Sequence, residues 1–209
     1  MRVAGVDIAG GAWLVVWLDG SRIAGFEVLE SLEGHLDDAE VVAIDVPLHL
    51  PEEQIGRAAE DEARRLLGRR SSTIFSSLPL PLYEGGYTEP ERLAARDRYG
   101  RSFSKQAWNI GWAVLDARRA RGSSWIETHP ELAFAAMTGG PLPSKKSWDG
   151  VRRRLDALEA AGLRIPALGA RLRPDDVIDA VVCAEVARRH ARGETSFVPA
   201  VGAGARIHF

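Results

Sequence analysis

Residues 1–13, MRVAGVDIAGGAW, decide how the rest of the chain is read. Val3, Ala4, Gly5, Val6 and Ile8 make a short, nearly continuous apolar run, the pattern of a strand covered on both faces in the middle of a sheet. Asp7 stands inside that run, where a buried carboxylate is costly unless it has a partner or a metal. Gly10-Gly11 then permits a tight reversal, and AWLVVWL at 12–18 reads as a second strand antiparallel to the first. Two readings of Asp7 stay open at this point: an acid that ends a strand and caps the turn, or the first member of a site to which later residues return.

Working outward, Asp19-Gly20 is a hairpin signal and Arg22 to Leu29 a third strand, so the chain opens as a three-stranded antiparallel meander. The polar segment Glu30 to Asp38 has room for about two helical turns before Glu40 to Pro47, EVVAIDVP, which reads as a fourth strand. A strand reached by a helical crossover most naturally runs parallel to the first and beside it. Asp45 then sits, like Asp7, near the carboxyl end of a central strand.

From Glu52 to Gly122 strand patterns stop, and the segment reads as a helical insertion, about 52–122, lying over the carboxyl edge of the sheet. Gln54 to Leu67 is amphipathic and is stopped by Gly68; Glu89 to Tyr99 and Gln106 to Ala120 are two further helices. Between the first two lie the arginine-bearing loop Arg69 to Phe75 and a proline-containing turn at Leu78 to Leu82. Trp108, Ile110, Trp112, Val114 and Leu115 read as core rather than as base-stacking platforms. Ser124 to Thr128 is a fifth strand, followed by His129-Pro130-Glu131 and a helix from Leu132 to Met137. The loop Thr138 to Ser144 leads to Lys145-Lys146 and a basic helix, Gly150 to Ala161. A last helix opens at Arg173-Pro174-Asp175-Asp176 and runs to about His190, with Pro174 and Asp175 as good first-turn residues. The tail, with Gly202 and Gly204, reads as a loop lying back on the body.

Composition narrows the function classes. At 209 residues and 45% hydrophobic content the chain can bury a full core, and it reads as a single domain, 1–209. No apolar run reaches membrane length and no signal-peptide pattern follows Met1, so the expected compartment is the cytoplasm, with no membrane partner. One cysteine, Cys183, excludes an internal disulfide or a thiolate zinc cage and reads as a buried packing residue. A net charge of -2 argues against a general nucleic-acid coat protein, although clustered arginines and lysines can hold phosphates locally.

The phrases GVDIAGGAW, AIDVPLHLP, HPELAF, PLPSKKSWDG and DDVIDAVVCA occur in this order, together with the run from Arg57 through Asp61, Ala63-Arg64 and Leu67-Gly68 to Arg70-Ser71-Ser72 and Ile74-Phe75. In that order, and over nearly the whole chain, they resemble the domain-of-unknown-function 429 (DUF429) family. The resemblance implies a ribonuclease H-like fold, an α/β mixed sheet in which the meander is joined by parallel strands and flanking helices, and a predicted nuclease.

The acids themselves carry the chemical expectation. Asp7 and Asp45 on neighbouring parallel strands would stand about 5 Å apart, and Asp176 and Asp179, three residues apart, project from one face of a helix. Folded together, Asp7, Asp45, Asp176 and Asp179 would make a carboxylate cluster of the kind that binds Mg²⁺ or Mn²⁺. Two such ions about 3.5–4 Å apart can activate a water and stabilise a leaving oxygen in phosphodiester hydrolysis. Crowded like charge of this sort is destabilising without a cation. Arg70, Ser71, Gln106, His129, Lys145 and Lys146 are the candidate substrate contacts, His129 also as a proton carrier. Each has a plainer reading: Asp175 as an N-cap, Asp176 and Glu131 as first-turn charges, His129 as a satisfied turn residue, the lysines as solvated surface.

The function expected is therefore a divalent-metal-dependent nuclease or phosphodiesterase acting on nucleic acid or a nucleotide. The alternatives are a nucleotide-binding phosphotransferase or ATPase-like protein of the actin and sugar-kinase type, and a non-catalytic binding module on the same fold. A phosphotransferase of that type usually duplicates the fold and carries a second glycine-rich phosphate hairpin, and the sequence contains no such repeat; loss of one of the acids would favour the binding module.

Overall fold

The computed structural model describes residues 1–168, 172–201 and 204–209. Its opening hairpin joins β1 (Arg2–Ala9) to β2 (Ala12–Asp19), in register from Arg2↔Asp19 to Ala9↔Ala12, and β2 pairs in turn with β3 (Arg22–Leu29). β4 (Val41–Ile44) runs parallel to β1, with Val3 opposite Val41 and Val6 opposite Ile44. β5 (Trp125–Thr128) is parallel to β4. The segment from residue 30 to 40 forms turns instead of the helical crossover expected there. Leu32 and Leu36 are buried, and the Leu32 N–H donates 2.9 Å to the Asp116 carboxylate, so a tertiary partner takes the group that a helix would have used.

Between β4 and β5 lie five helices: α1 (Ala58–Leu67), α2 (Leu80–Glu84), α3 (Glu89–Tyr99), α4 (Lys105–Asn109) and α5 (Gly111–Ala120). A 3₁₀ turn, Gly68–Thr73, stands where the arginine loop was expected, and α2 where the sequence suggested a turn. The helix expected over 106–120 is broken at Ile110 into α4 and α5. After β5 come α6 (Pro130–Thr138), α7 (Trp148–Ala160) and α8 (Pro174–Ala191). The N-cap of α8 is Arg173, so Asp175 and Asp176 lie inside its first turn, not at the cap.

The tail corrects the loop expected there. β6 (Phe197–Val198) and β7 (Ile207–His208) extend the sheet, with β7 parallel to β5, to the seven-stranded order β3-β2-β1-β4-β5-β7-β6. Gly202 falls outside the described residues. The fold is thus α/β, a mixed sheet with helices on both faces. Ala4, Val6, Trp13, Val15, Val42 and Ile44 pack with Tyr83, Ala95, Ala107 and Val114 of the helices between β4 and β5. Val3, Leu14, Val16, Val41 and Ala43 pack instead with Phe134, Leu158 and a run of α8 residues. No helix among the described residues is long and apolar enough to cross a membrane.

Candidate active site

Strand alternation puts Gly5 and Asp7 on the same face of β1, the face covered by α8. Gly5 makes the packing unusually close. A Cβ there would overlap the backbone nitrogen of Ala184 and the carbonyl oxygen of Ala180, so only glycine admits the α8 backbone at this point. The contact lies one residue past Asp179, which it brings down beside the strand ends. Asp45 follows β4 directly and its N–H donates 3.1 Å to the Val6 carbonyl, which continues the parallel register and sets Asp45 beside Asp7. Sequence reasoning anticipated the acids but not the glycine notch.

The electrostatics record this convergence. Burial, with Asp45 and Asp179 nearby, raises the Asp7 carboxyl well above the ordinary range, against a hydrogen bond from the Ile8 N–H and the charge of Lys145. Asp45 is raised to about 7 by burial, with Glu127 and Glu131 adding repulsion and Lys145 opposing. Asp179 is raised to about 6, again chiefly by burial and in spite of Lys145. Asp176 is set apart: it is half-buried, and after burial the main influence raising it is its neighbour Asp175. The structure therefore gathers Asp7, Asp45 and Asp179 and leaves Asp176 toward the rim.

Lys145 is the cation of the group. Its ammonium hydrogen-bonds to Asp179 Oδ2. Burial would lower its pKa, but Asp179, Asp7 and Asp45 together hold it above the usual lysine value. Lys146, by contrast, is exposed. Gln106 is also exposed, on α4, and does not line the cavity beside the acids.

That cavity, about 150 Å³, is lined by Asp7, Asp45, Arg57, Thr73, Phe75 and His129 among others. A larger open groove of about 800 Å³, bordered by Met137, Gly140, Arg153 and Arg189, lies away from the three acids. The smaller cavity is the candidate active site because two of the perturbed carboxyls, Asp7 and Asp45, line it and Asp179 lies within electrostatic reach of Asp7. The 3₁₀ turn presents Thr73 to it; Ser71 is half-buried and its carbonyl accepts the Ile74 N–H. Arg70 reaches Glu131, Nη2 to Oε1 3.4 Å, and touches the acids only through that carboxylate. His129 lines the cavity with Nε2 3.3 Å from the Thr73 carbonyl, while Nδ1 is buried without a partner among the described residues. Burial lowers its pKa, so the ring is neutral near pH 7.

Two buried ion-pair networks frame the site, and neither was legible as such in the sequence. Arg57, just before α1, donates 2.8 Å from Nε to Glu60 and 2.8 Å from Nη1 to Glu127, and Glu60 in turn accepts the Ser77 N–H at 2.9 Å. Arg154, 1% exposed, donates both 2.8 and 2.7 Å bonds from Nη2 to Glu131. The available signal was the i,i+3 placement of Arg57 and Glu60 on a helix start beside apolar Ala59, Ala63 and Leu67.

The donor chemistry of Asp7 and Asp45 suits a hard divalent cation, being oxygen only, buried at Asp7 and half-buried at Asp45, and short of compensating charge. Among the described residues no group of three or more His, Cys, Asp or Glu side chains is placed to hold one ion. Asp179 is engaged by Lys145, and Asp176 lies to the side, so the expected four-carboxylate convergence is not formed. The residues fit an ion of the Mg²⁺ type, which is usually bound by one or two carboxylates and keeps several waters, and do not fit an all-protein cage.

A family model described as "Protein of unknown function (DUF429)" matches residues 5–202. No curated protein and no solved structure matches the chain.

Proposed function

The chain belongs to the DUF429 family, and on that premise we propose that it is a divalent-metal-dependent nuclease or phosphodiesterase with a ribonuclease H-like fold. The observation that carries this reading is that Asp7 and Asp45 line one cavity with Asp179 within electrostatic reach of Asp7, all three with raised pKa values. The fold name is supported by an antiparallel meander whose first strand is followed in the sheet by parallel β4 and β5, with α8 packed against it.

Asp7 and Asp45 would hold the ion, Mg²⁺ or Mn²⁺, which when bound supplies a more acidic water and polarises the phosphoryl group. In hydrolysis the oxygen of water bonds to phosphorus as the bond from phosphorus to the ester oxygen breaks. Water's proton passes to His129, which burial keeps neutral and therefore able to accept it. The departing oxygen takes a proton from solvent, and Lys145 offsets its charge until then. Arg57 and Arg154 act at a distance, fixing Glu127 and Glu131 so that these carboxylates do not turn into the site.

The test is a calorimetric Mn²⁺ titration of wild type and Asp7→Asn, with a cleavage assay on DNA, RNA and nucleotide substrates. Wild type is expected to bind Mn²⁺ and cleave at least one substrate. Asp7→Asn should lose both and, without metal, be more stable because carboxylate repulsion is relieved. Equal binding by both proteins would falsify the site. Binding without cleavage of any substrate would sink the nuclease reading and favour the nucleotide-binding alternative.

A further inference from the structure

We propose that the site takes a single divalent ion and that the Lys145 ammonium stands where a second ion would otherwise be needed. The inference rests on the metal-dependent hydrolase reading and gives it a stoichiometry. Asp7, Asp45 and Asp179 sum to three negative charges when ionised, and Lys145 is hydrogen-bonded to one and within electrostatic reach of the other two. One divalent ion on Asp7 and Asp45 brings that group to neutrality. A second would leave two positive charges in excess in a buried site, a costly arrangement before substrate arrives.

The ammonium is held in place rather than trailing in solvent. A Cβ at Gly150 would overlap the carbonyl of Ser144, so the first turn of α7 sits directly on the lysine loop. Arg154 Nη1 donates 2.9 Å to the Pro143 carbonyl and 2.8 Å to that of Gly150, and its Nη2 is anchored on Glu131 of α6. The Ser147 Oγ donates 2.8 Å back to the Ser144 carbonyl and accepts the Gly150 N–H. The residues on either side of Lys145 are thereby tied to α6 and α7, and the side chain ends on α8. A lysine fixed by three elements and aimed at a buried carboxylate is a built-in cation with a definite position, which a surface lysine lacks.

The experiment counts Mn²⁺ by calorimetry and by electron paramagnetic resonance, which detects coupling between paired Mn²⁺ ions, on the intact chain. Wild type should bind one ion with no coupled signal. Lys145→Met should bind a second ion or hold the first about tenfold more tightly or better, because a competing positive charge is gone and Asp179 is released. Lys145→Arg, which keeps the charge, should retain the wild-type count and guards against a trivial folding defect. Two ions in wild type, Lys145→Met indistinguishable from wild type, or Lys145→Arg behaving as Lys145→Met would overturn the role of Lys145 while leaving the metal site intact. No Mn²⁺ on wild type at all would instead remove the metal reading on which the inference stands.

Discussion

Asp45 is a carboxyl held at about 7, and that makes pH a direct probe of the site. Its folded pKa lies above the ordinary aspartate value, so between about 4 and 7 the native state binds more protons than the unfolded chain, and stability falls as pH rises through that window. His208 works in the opposite sense: burial lowers it to about 4, so its contribution to stability rises between about 4 and 6.5. The wild-type curve mixes these with Asp7, Asp179 and the other shifted groups, but the difference between wild type and Asp45→Asn removes His208 and leaves Asp45 with its influence on Asp7 and Asp179. Without metal, Asp45→Asn should gain on wild type by on the order of 2–3 kcal/mol between pH 5 and pH 8. Urea denaturation at a series of pH values measures it, and a constant gap would show that Asp45 titrates as an ordinary surface carboxylate. The acids themselves were legible from apolar runs ending in aspartate. The partner of Asp179 was not, because Lys145-Lys146 carries no mark that distinguishes a fixed counter-ion from a solvated pair.

At the scale of elements, the site depends on how far α8 sinks onto β1, and Gly5 sets that depth. Gly5→Ala would force the Cβ against backbone atoms of Ala180 and Ala184, which cannot rotate aside. The expected cost is at the upper end of the roughly 1–3 kcal/mol of overpacking, or beyond it. The lifted helix should carry Asp179 away from Asp7, so Mn²⁺ binding changes although no acid is altered. Gly25→Ala in β3, where a Cβ meets nothing within 4 Å, is the control. Equal stability of the two variants would mean that α8 is not seated by this notch. The first five strands and α8 could be read from their apolar runs and turn residues. The misread elements have different causes: Leu32 turns to a tertiary partner, Asp116, whereas α2 starts at prolines that read as a turn yet suit a helix's first turn.

Across the whole molecule, the cavity has two sides that the sheet joins. Asp7 lies on β1 and Asp45 directly after β4, at the centre, whereas Arg57 and Glu127 depend on α1 and β5, which lean on the C-terminal strands. Val198 and Ile207 are buried with Ala59, Ala63, Leu67 and Leu132, and the Thr128 hydroxyl donates 2.8 Å to the His208 carbonyl. Strands of two residues are too short to show a hydrophobic period, which is why the sequence concealed them. Removing residues 196–209 should therefore cost about 3–6 kcal/mol from the loss of two buried β-branched side chains alone. It should also unseat α1 and loosen the Arg57–Glu127 pair. The central acids keep their strands and their helix, so Mn²⁺ affinity measured at low temperature should stay near wild type while substrate affinity falls. Calorimetry with Mn²⁺, followed by oligonucleotide binding on the truncated chain, separates the two sides. If metal affinity falls in step with substrate affinity, the C-terminal strands support the whole site and the division into a metal side and a substrate side is wrong.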